Sequence, residues 1–167
     1  MHNHDYIMRL VEEFARFLRK ILFKKETGNY LEALEELRNG QVKYSGLDIQ
    51  LINTIPCDLF PNLLIKLEKH QIFFLVKFLV EESDLIMLTN ENEKIDIVIP
   101  KIKKAILAYE YLSDSQYYDE LKKYITKINN ILSALSNSKD LTDSNYTEII
   151  NIMKLLKNIS IKNVCKD

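Results

Sequence analysis

Three glycines and three prolines in 167 residues leave this chain very few places to turn. Average proteins use roughly 7% glycine and 5% proline. Strand-rich folds reverse direction often, and their turns draw on Gly, Pro, Asn and Asp. A chain with so few breakers builds a few long elements, and long elements in a globular protein are helices. The scarcity predicts an all-α fold and argues against sandwiches, barrels and doubly wound sheets. It also removes glycine-dependent chemistry, because Gly28, Gly40 and Gly46 are too far apart to form a phosphate loop.

With 47% hydrophobic and 28% charged residues, the composition is that of a single globular domain over 1–167. At this length the core closes without staples. Two sub-units are expected within it, an N-terminal hairpin at 5–46 and a helical bundle at 63–160. Residues 1–83 carry 11 basic and 12 acidic side chains, and residues 84–167 carry 12 and 12. Neither half has the basic surplus that phosphate neutralisation requires, so no nucleic-acid partner is expected. Cys57 and Cys165 make no Cys-x-x-Cys pair for zinc or redox work, and nothing demands a disulfide between them. The polar start Met1-His2-Asn3-His4-Asp5 lacks a signal-peptide layout. The longest apolar stretch, Ile72 to Val80, contains Lys77 and is about half a membrane span. The expectation is a soluble, cytoplasmic protein without a membrane partner. A wealth of Ile, Lys and Asn suggests an AT-rich bacterial genome.

Hydrophobic periodicity predicts six main helices. The first covers 6–25, with Ile7, Leu10, Val11, Phe14, Leu18, Ile21 and Leu22 inward, Asp5 as N-cap and a Glu12–Arg16 pair outside. Thr27-Gly28-Asn29 turns the chain into a second helix over 30–44. Its inner face is Tyr30, Ala33, Leu34, Leu37 and Gln41, and Gly46 follows its end. One or two short helices, one capped by Asp48, bridge 47–62 around Pro56 and Pro61. Residues 63–88 are mainly helical with a break near His70. Their second part is apolar nearly all round, so it should be the buried central helix. A turn at 90–93 leads to a helix over 95–112, in which Pro100 either kinks the helix or starts its main part. Helices over 118–135 and 146–159 complete the set, the last capped by Thr142 or Asp143.

Gly28-Asn29-Tyr30-Leu31-Glu32-Ala33-Leu34 resembles the middle of a tetratricopeptide repeat, where Gly closes a turn and Ala lets two helices approach. In that register Leu37 is a bulky site and Gly40 a second small one. A fainter match runs through Ala105, Ala108, Tyr109 and Leu112 to Tyr118, Leu121, Ile125 and Ile128. The N-terminal hairpin as a whole resembles an uncharacterised family of small all-helical Firmicutes proteins. The resemblance implies a degenerate tetratricopeptide-like superhelix or irregular helical bundle, and by analogy a partner-binding role.

The chemistry-bearing residues read mostly as structure. His2 and His4 lie at the terminus, and His70 lacks an Asp, Cys or Glu partner at a diagnostic spacing. No metal site, cofactor or catalytic residue is expected. The doublets Glu12-Glu13, Glu35-Glu36, Glu81-Glu82 and Asp119-Glu120 point about 100° apart and are assigned to solvated faces. Lys101, Lys103 and Lys104 with Lys122, Lys123 and Lys127 form a basic concentration interleaved with Tyr109, Tyr111, Tyr117, Tyr118 and Tyr124. Arg9, Arg16, Arg19 and Lys20 crowd one side of the first helix and are the candidate residues for an acidic partner. The reading that results is a non-catalytic module that binds a protein or peptide. The alternative is a small-ligand or enzymatic pocket near the aromatic helix at 72–88, and self-association is a further possibility.

Overall fold

Helix α1 (His2–Glu26) starts four residues before the periodic pattern does. Asp5 therefore lies in its first turn rather than at its cap, where its carboxylate still meets the positive end of the helix dipole. Lys24 and Lys25 occupy the last turn. Gly28 then takes φ +81°, and Asn29 N–H donates to the Lys24 carbonyl at 2.9 Å, reversing the chain into α2 (Tyr30–Ser45). Gly46, at φ +71°, ends α2 by donating to the Val42 carbonyl at 3.0 Å. The two glycines make this hairpin as expected.

The structure is a computed structural model that describes residues 2–89, 94–139 and 141–164, the side chains at 2–3 and 160–164 excepted. The expected turn at 90–93 and Cys165 lie outside the described residues. Two short helices bridge the region around the prolines. Asp48 caps α3 (Ile49–Thr54) by accepting from Gln50 N–H at 2.7 Å, and Pro61 opens α4 (Phe60–Leu64). The long helix at 63–88 is broken as predicted: α5 is Lys69–Leu88, and Gln71 Oε1 accepts from Glu68 N–H at 2.9 Å at its start. Helix α6 (Lys94–Tyr111) continues through Pro100, which has no N–H to donate to Asp96. After α7 (Tyr118–Ser136), Thr142 Oγ1 accepts from Asn145 N–H at 3.2 Å and begins α8 (Asp143–Val164). The described residues are thus all-α, in helical hairpins, with no strand.

Helix α5 is the axis. Helices α1, α2, α6 and α7 pack on it, and α8 lies across α6 and α7. Every residue from Ile72 to Ile86 is buried except Asp84, which is half-buried. At the α1–α2 end, Phe14 meets Phe74 at 4.5 Å and Phe78 at 5.2 Å between ring centroids, and Tyr44 closes the cluster. Gly40 sits directly against the Phe17 ring, where a Cβ would collide, so it is a small contact site. Ile7, Leu10, Val11, Leu22, Tyr30, Tyr118 and Ile125, expected inside, are half-buried. No helix of the described residues is long and apolar enough to cross a membrane.

Gly46 couples the hairpin to α5, because a Cβ there would lie 2.7 Å from Gln71 Nε2, on the side chain that closes the start of α5. Gly46→Ala is expected to lower stability by about 1–2 kcal/mol through its left-handed backbone alone. Urea unfolding followed by circular dichroism measures this. An unchanged midpoint would mean that the turn relaxes without cost.

Candidate functional site

A helix buried on every side cannot solvate its own charges, yet α5 carries Lys77, Glu81, Glu82 and Asp84. The neighbouring helices supply the counter-charges. Glu82, 3% exposed, accepts from Arg38 Nε of α2 at 2.8 Å and from Lys101 Nζ of α6 at 2.8 Å. Lys101 also donates to Asn53 of α3, and buried Lys104 donates to the Ile52 carbonyl at 2.6 Å. One residue away, Glu81 turns to the opposite neighbour and accepts from Lys127 of α7 at 2.5 Å. Lys127 also reaches Asp84 at 2.8 Å, and Asp84 takes Lys25 of α1 as a second partner. Lys77 pairs with Glu120 of α7 and lies 3.9 Å over the Phe73 ring, with Phe14 and Tyr124 beside it.

Burial and charge oppose each other in these groups. Burial pushes the Asp84 carboxyl up, but the Lys127 and Lys25 ammoniums outweigh it and hold it below the ordinary aspartate range. Lys127 is desolvated too, yet Glu81 and Asp84 raise it above the usual lysine value. For Lys77 the balance falls the other way: desolvation depresses it despite Glu120. Desolvation likewise depresses Lys104.

This network corrects two expectations. Glu81-Glu82 is a buried pair of unlike environments, not a solvated doublet, although the other three doublets do include solvent-exposed members. The six lysines do not share one basic surface. Lys101 and Lys104 point inward, Lys103 pairs with Glu148 at 3.0 Å, Lys122 with Asp119 at 2.8 Å, and Lys127 with α5. The tyrosines are equally committed. Tyr109 stacks on Tyr118 at 4.4 Å, Tyr117 packs on Phe73 at 4.7 Å and Tyr124 is buried, which leaves Tyr111 exposed. Chemically, the network holds helices in register. Its four carboxylates each meet a lysine or arginine, buried Lys104 meets a backbone carbonyl instead, and none of these residues lines any of the three surface grooves.

Cavities lie at the periphery instead. The largest described groove, about 590 Å³, runs along α8 and is lined by Asp143, Ser144, Thr147, Glu148, Asn151, Ile152 and Leu155, with Lys103 of α6. A second, about 480 Å³, lies where the Gly28–Glu32 turn meets Leu88 and Thr89. A third, about 350 Å³, joins Glu68, Lys69 and His70 to the 114–117 turn. These three grooves touch α5 only near its ends, not at the aromatic segment 72–80. His70 is a helix-start residue, as expected, with Nδ1 3.2 Å from Glu68 Oε2 and its ring edge-on to Phe74. His4 is exposed, and the His2 side chain lies outside the described residues. No group of three metal-ligating side chains gathers among the described residues.

The four candidate partner residues of α1 are all exposed, but they divide. Lys20 bonds Glu36 on the seam with α2, alongside Lys24–Glu32 at 2.5 Å and Lys43–Glu13 at 3.1 Å. Arg9, Arg16 and Arg19 make no ion pair across that seam among the described residues. Arg19 donates only to its own helix, at the Ala15 carbonyl, 3.4 Å, and Arg9 and Arg16 have no ionic partner among the described residues. The expected Glu12–Arg16 pair does not form; the next residue, Glu13, pairs across to Lys43 of α2. Comparison with known protein families, curated proteins and solved structures returns no match. Fold and surfaces together define an all-α scaffold with a charge-locked central helix and open peripheral grooves.

Removing one partner of a buried pair strands the other. Glu82→Ala leaves Lys101 and Arg38 without their carboxylate and is expected to cost about 3–5 kcal/mol. Lys122→Ala, at an exposed pair with Asp119, should cost less than about 1 kcal/mol. Equal shifts in urea midpoint would mean that the buried network contributes nothing special. For Asp84 the folded state lowers the carboxyl pKa. Its contribution is present above the unfolded aspartate value and disappears as pH falls through the depressed folded value. Stability measured from neutral pH into the acid range should therefore fall less steeply in Asp84→Asn than in the parent chain. Parallel pH profiles would sink this assignment.

Proposed function

We propose that this chain is a non-catalytic helical module that binds an extended segment of a partner protein along α8. The observation that carries the reading is the shape of the α8 groove. Its lining runs from Asp143 to Leu155 on one face of the helix, about 18 Å at the helical rise. That length suits five or six residues of extended chain, at roughly 3.3 Å each. Ile152 and Leu155 offer apolar contact, while Ser144, Thr147, Asn151 and the Lys103–Glu148 pair offer donors and acceptors for a peptide backbone. Such a mixture of apolar wall and a few polar groups is the usual make-up of a binding groove. The likeness of 28–34 to a tetratricopeptide half-repeat supports the same reading by analogy, since helical hairpins of that type present surfaces to partners. The charge-locked interior supplies the rigid support that such a groove needs.

The test selects displayed peptides on the purified protein and compares them on Thr147→Arg/Asn151→Arg, two exposed substitutions that fill the groove. Enriched peptides should share a motif and bind the double variant at least about tenfold more weakly, a loss of about 1.4 kcal/mol. Peptides that bind both proteins equally would remove α8 from the reading. Failure to enrich any peptide, together with a small molecule seated in a groove, would turn it to ligand binding.

A further inference from the structure

Of the eight residues that line the α8 groove, three are charged, and two of these satisfy each other, Lys103 with Glu148 at 3.0 Å. The third, Asp143, is exposed and has no ionic partner among the described residues. The Thr147 hydroxyl donates to its backbone carbonyl at 2.9 Å and does not engage the carboxylate. A second exposed carboxylate, Asp96 of α6, is held to the same end by Asn145 Nδ2 at 3.1 Å. Lys94, on the same turn of α6, donates to the Thr89 carbonyl at 2.8 Å, and exposed Lys139 precedes α8 without lining the groove. Two carboxylates outweigh the roughly half positive charge of the helix start. The far end of the groove is apolar, at Ile152 and Leu155, and exposed Lys154 adjoins Leu155 in the chain. A cation on a bound segment is therefore favoured at the Asp143 end and repelled at the Lys154 end, where an apolar side chain is covered instead.

We infer that the segment bound along α8 carries a lysine or arginine at Asp143 and a large apolar residue against Ile152 and Leu155. The inference rests on the peptide-binding reading of α8 and adds the chemistry of the peptide. Its spacing follows from the helix. Ile152 and Leu155 lie about 13.5 and 18 Å along the axis from Asp143 at the helical rise. An extended chain spans that distance in about four or five residues, at roughly 3.3 Å each. Ser144, Thr147 and Asn151 lie between the two ends and bond the backbone of the intervening residues, whose side chains are free to vary. Affinity then comes from the backbone and the apolar anchor, and choice of partner from the single charge at Asp143.

Charge exchange tests this on the full chain. Peptides selected from a random displayed library should share a basic and an apolar residue at that spacing. Their affinity should fall at least about tenfold on Asp143→Lys, and equally when the peptide's basic residue is replaced by glutamate, since each change puts like charges together. The two changes combined should restore binding. Asp143→Asn should weaken binding less and flatten its dependence on salt. Circular dichroism should be unchanged in both variants, because the Asp143 side chain is exposed and holds nothing in the fold. Peptides that are lost on Thr147→Arg/Asn151→Arg but indifferent to Asp143→Lys overturn the inference and leave the groove as the binding site. Acidic or uncharged peptides that need the groove overturn it in the same way. Peptides indifferent to every substitution, or no enrichment at all, remove the groove and the inference together.

Discussion

Glu82, closed in between Arg38 and Lys101, is the interaction on which the arrangement of helices depends. Desolvating Glu82 and Lys101 costs several kcal/mol for each ion, and attraction to each other and to half-exposed Arg38 roughly offsets that only when the geometry is good. The cluster is therefore poor as a source of net stability and strong as a constraint. Any slippage of α2 or α6 along α5 by one turn separates a carboxylate from its cation in a place that water does not reach. The Glu81–Lys127–Asp84–Lys25 chain imposes the same condition from the other side, on α7 and α1. Four helices are thus indexed to one, by charges rather than by loops.

This explains what was legible beforehand and what was not. Helix count, hairpin turns and the buried axis follow from local rules: a 3.6-residue period, φ above zero at Gly28 and Gly46, and an apolar run with no wet face. Gly40 was readable because its small size matters only against a ring such as Phe17. The burial of Glu81 and Glu82 was not readable from local rules. A doublet of acids is a statement about solvent until the partners are known, and those partners lie 46 and 19 residues away at Lys127 and Lys101. One signal was present all the same. Lys77, Glu81, Glu82 and Asp84 interrupt a stretch already assigned as buried all round, so each needed a counter-charge from another helix. Read that way, the basic residues of α6 and α7 were the available counter-charges.

The α8 groove was equally out of reach of the pattern. Its walls are Thr, Ser, Asn and a surface ion pair, residue types that any helix exposes. What makes them a groove is the packing of α8 against α6, which brings Lys103 beside residues far along the chain. The α1 arginines lay at the opposite extreme. Their exposure follows from helical spacing, but only the contacts with α2 separate Lys20, held on the seam, from Arg16 and Arg19, which are not.

A centre fixed by paired charges moves the functional question to the rim. Substituting a residue of α5 disturbs packing and charge together, so the axis has little freedom to acquire new chemistry. The faces of α1, α2 and α8 carry no such obligation, and their side chains can change at a cost of tenths of a kcal/mol. Binding surfaces require that combination of a stiff support with a permissive exterior. The two surfaces also sit on different attachments to the axis. The α1–α2 hairpin is held through Lys25 and Arg38, whereas α8 is held through α6 and α7. A contact made at one reaches the other through α5, or through α3, which packs on α2 and is bonded to Lys101 and Lys104 of α6. Since the charges there resist displacement, the two faces are expected to act independently, as paired sites on a rigid body do.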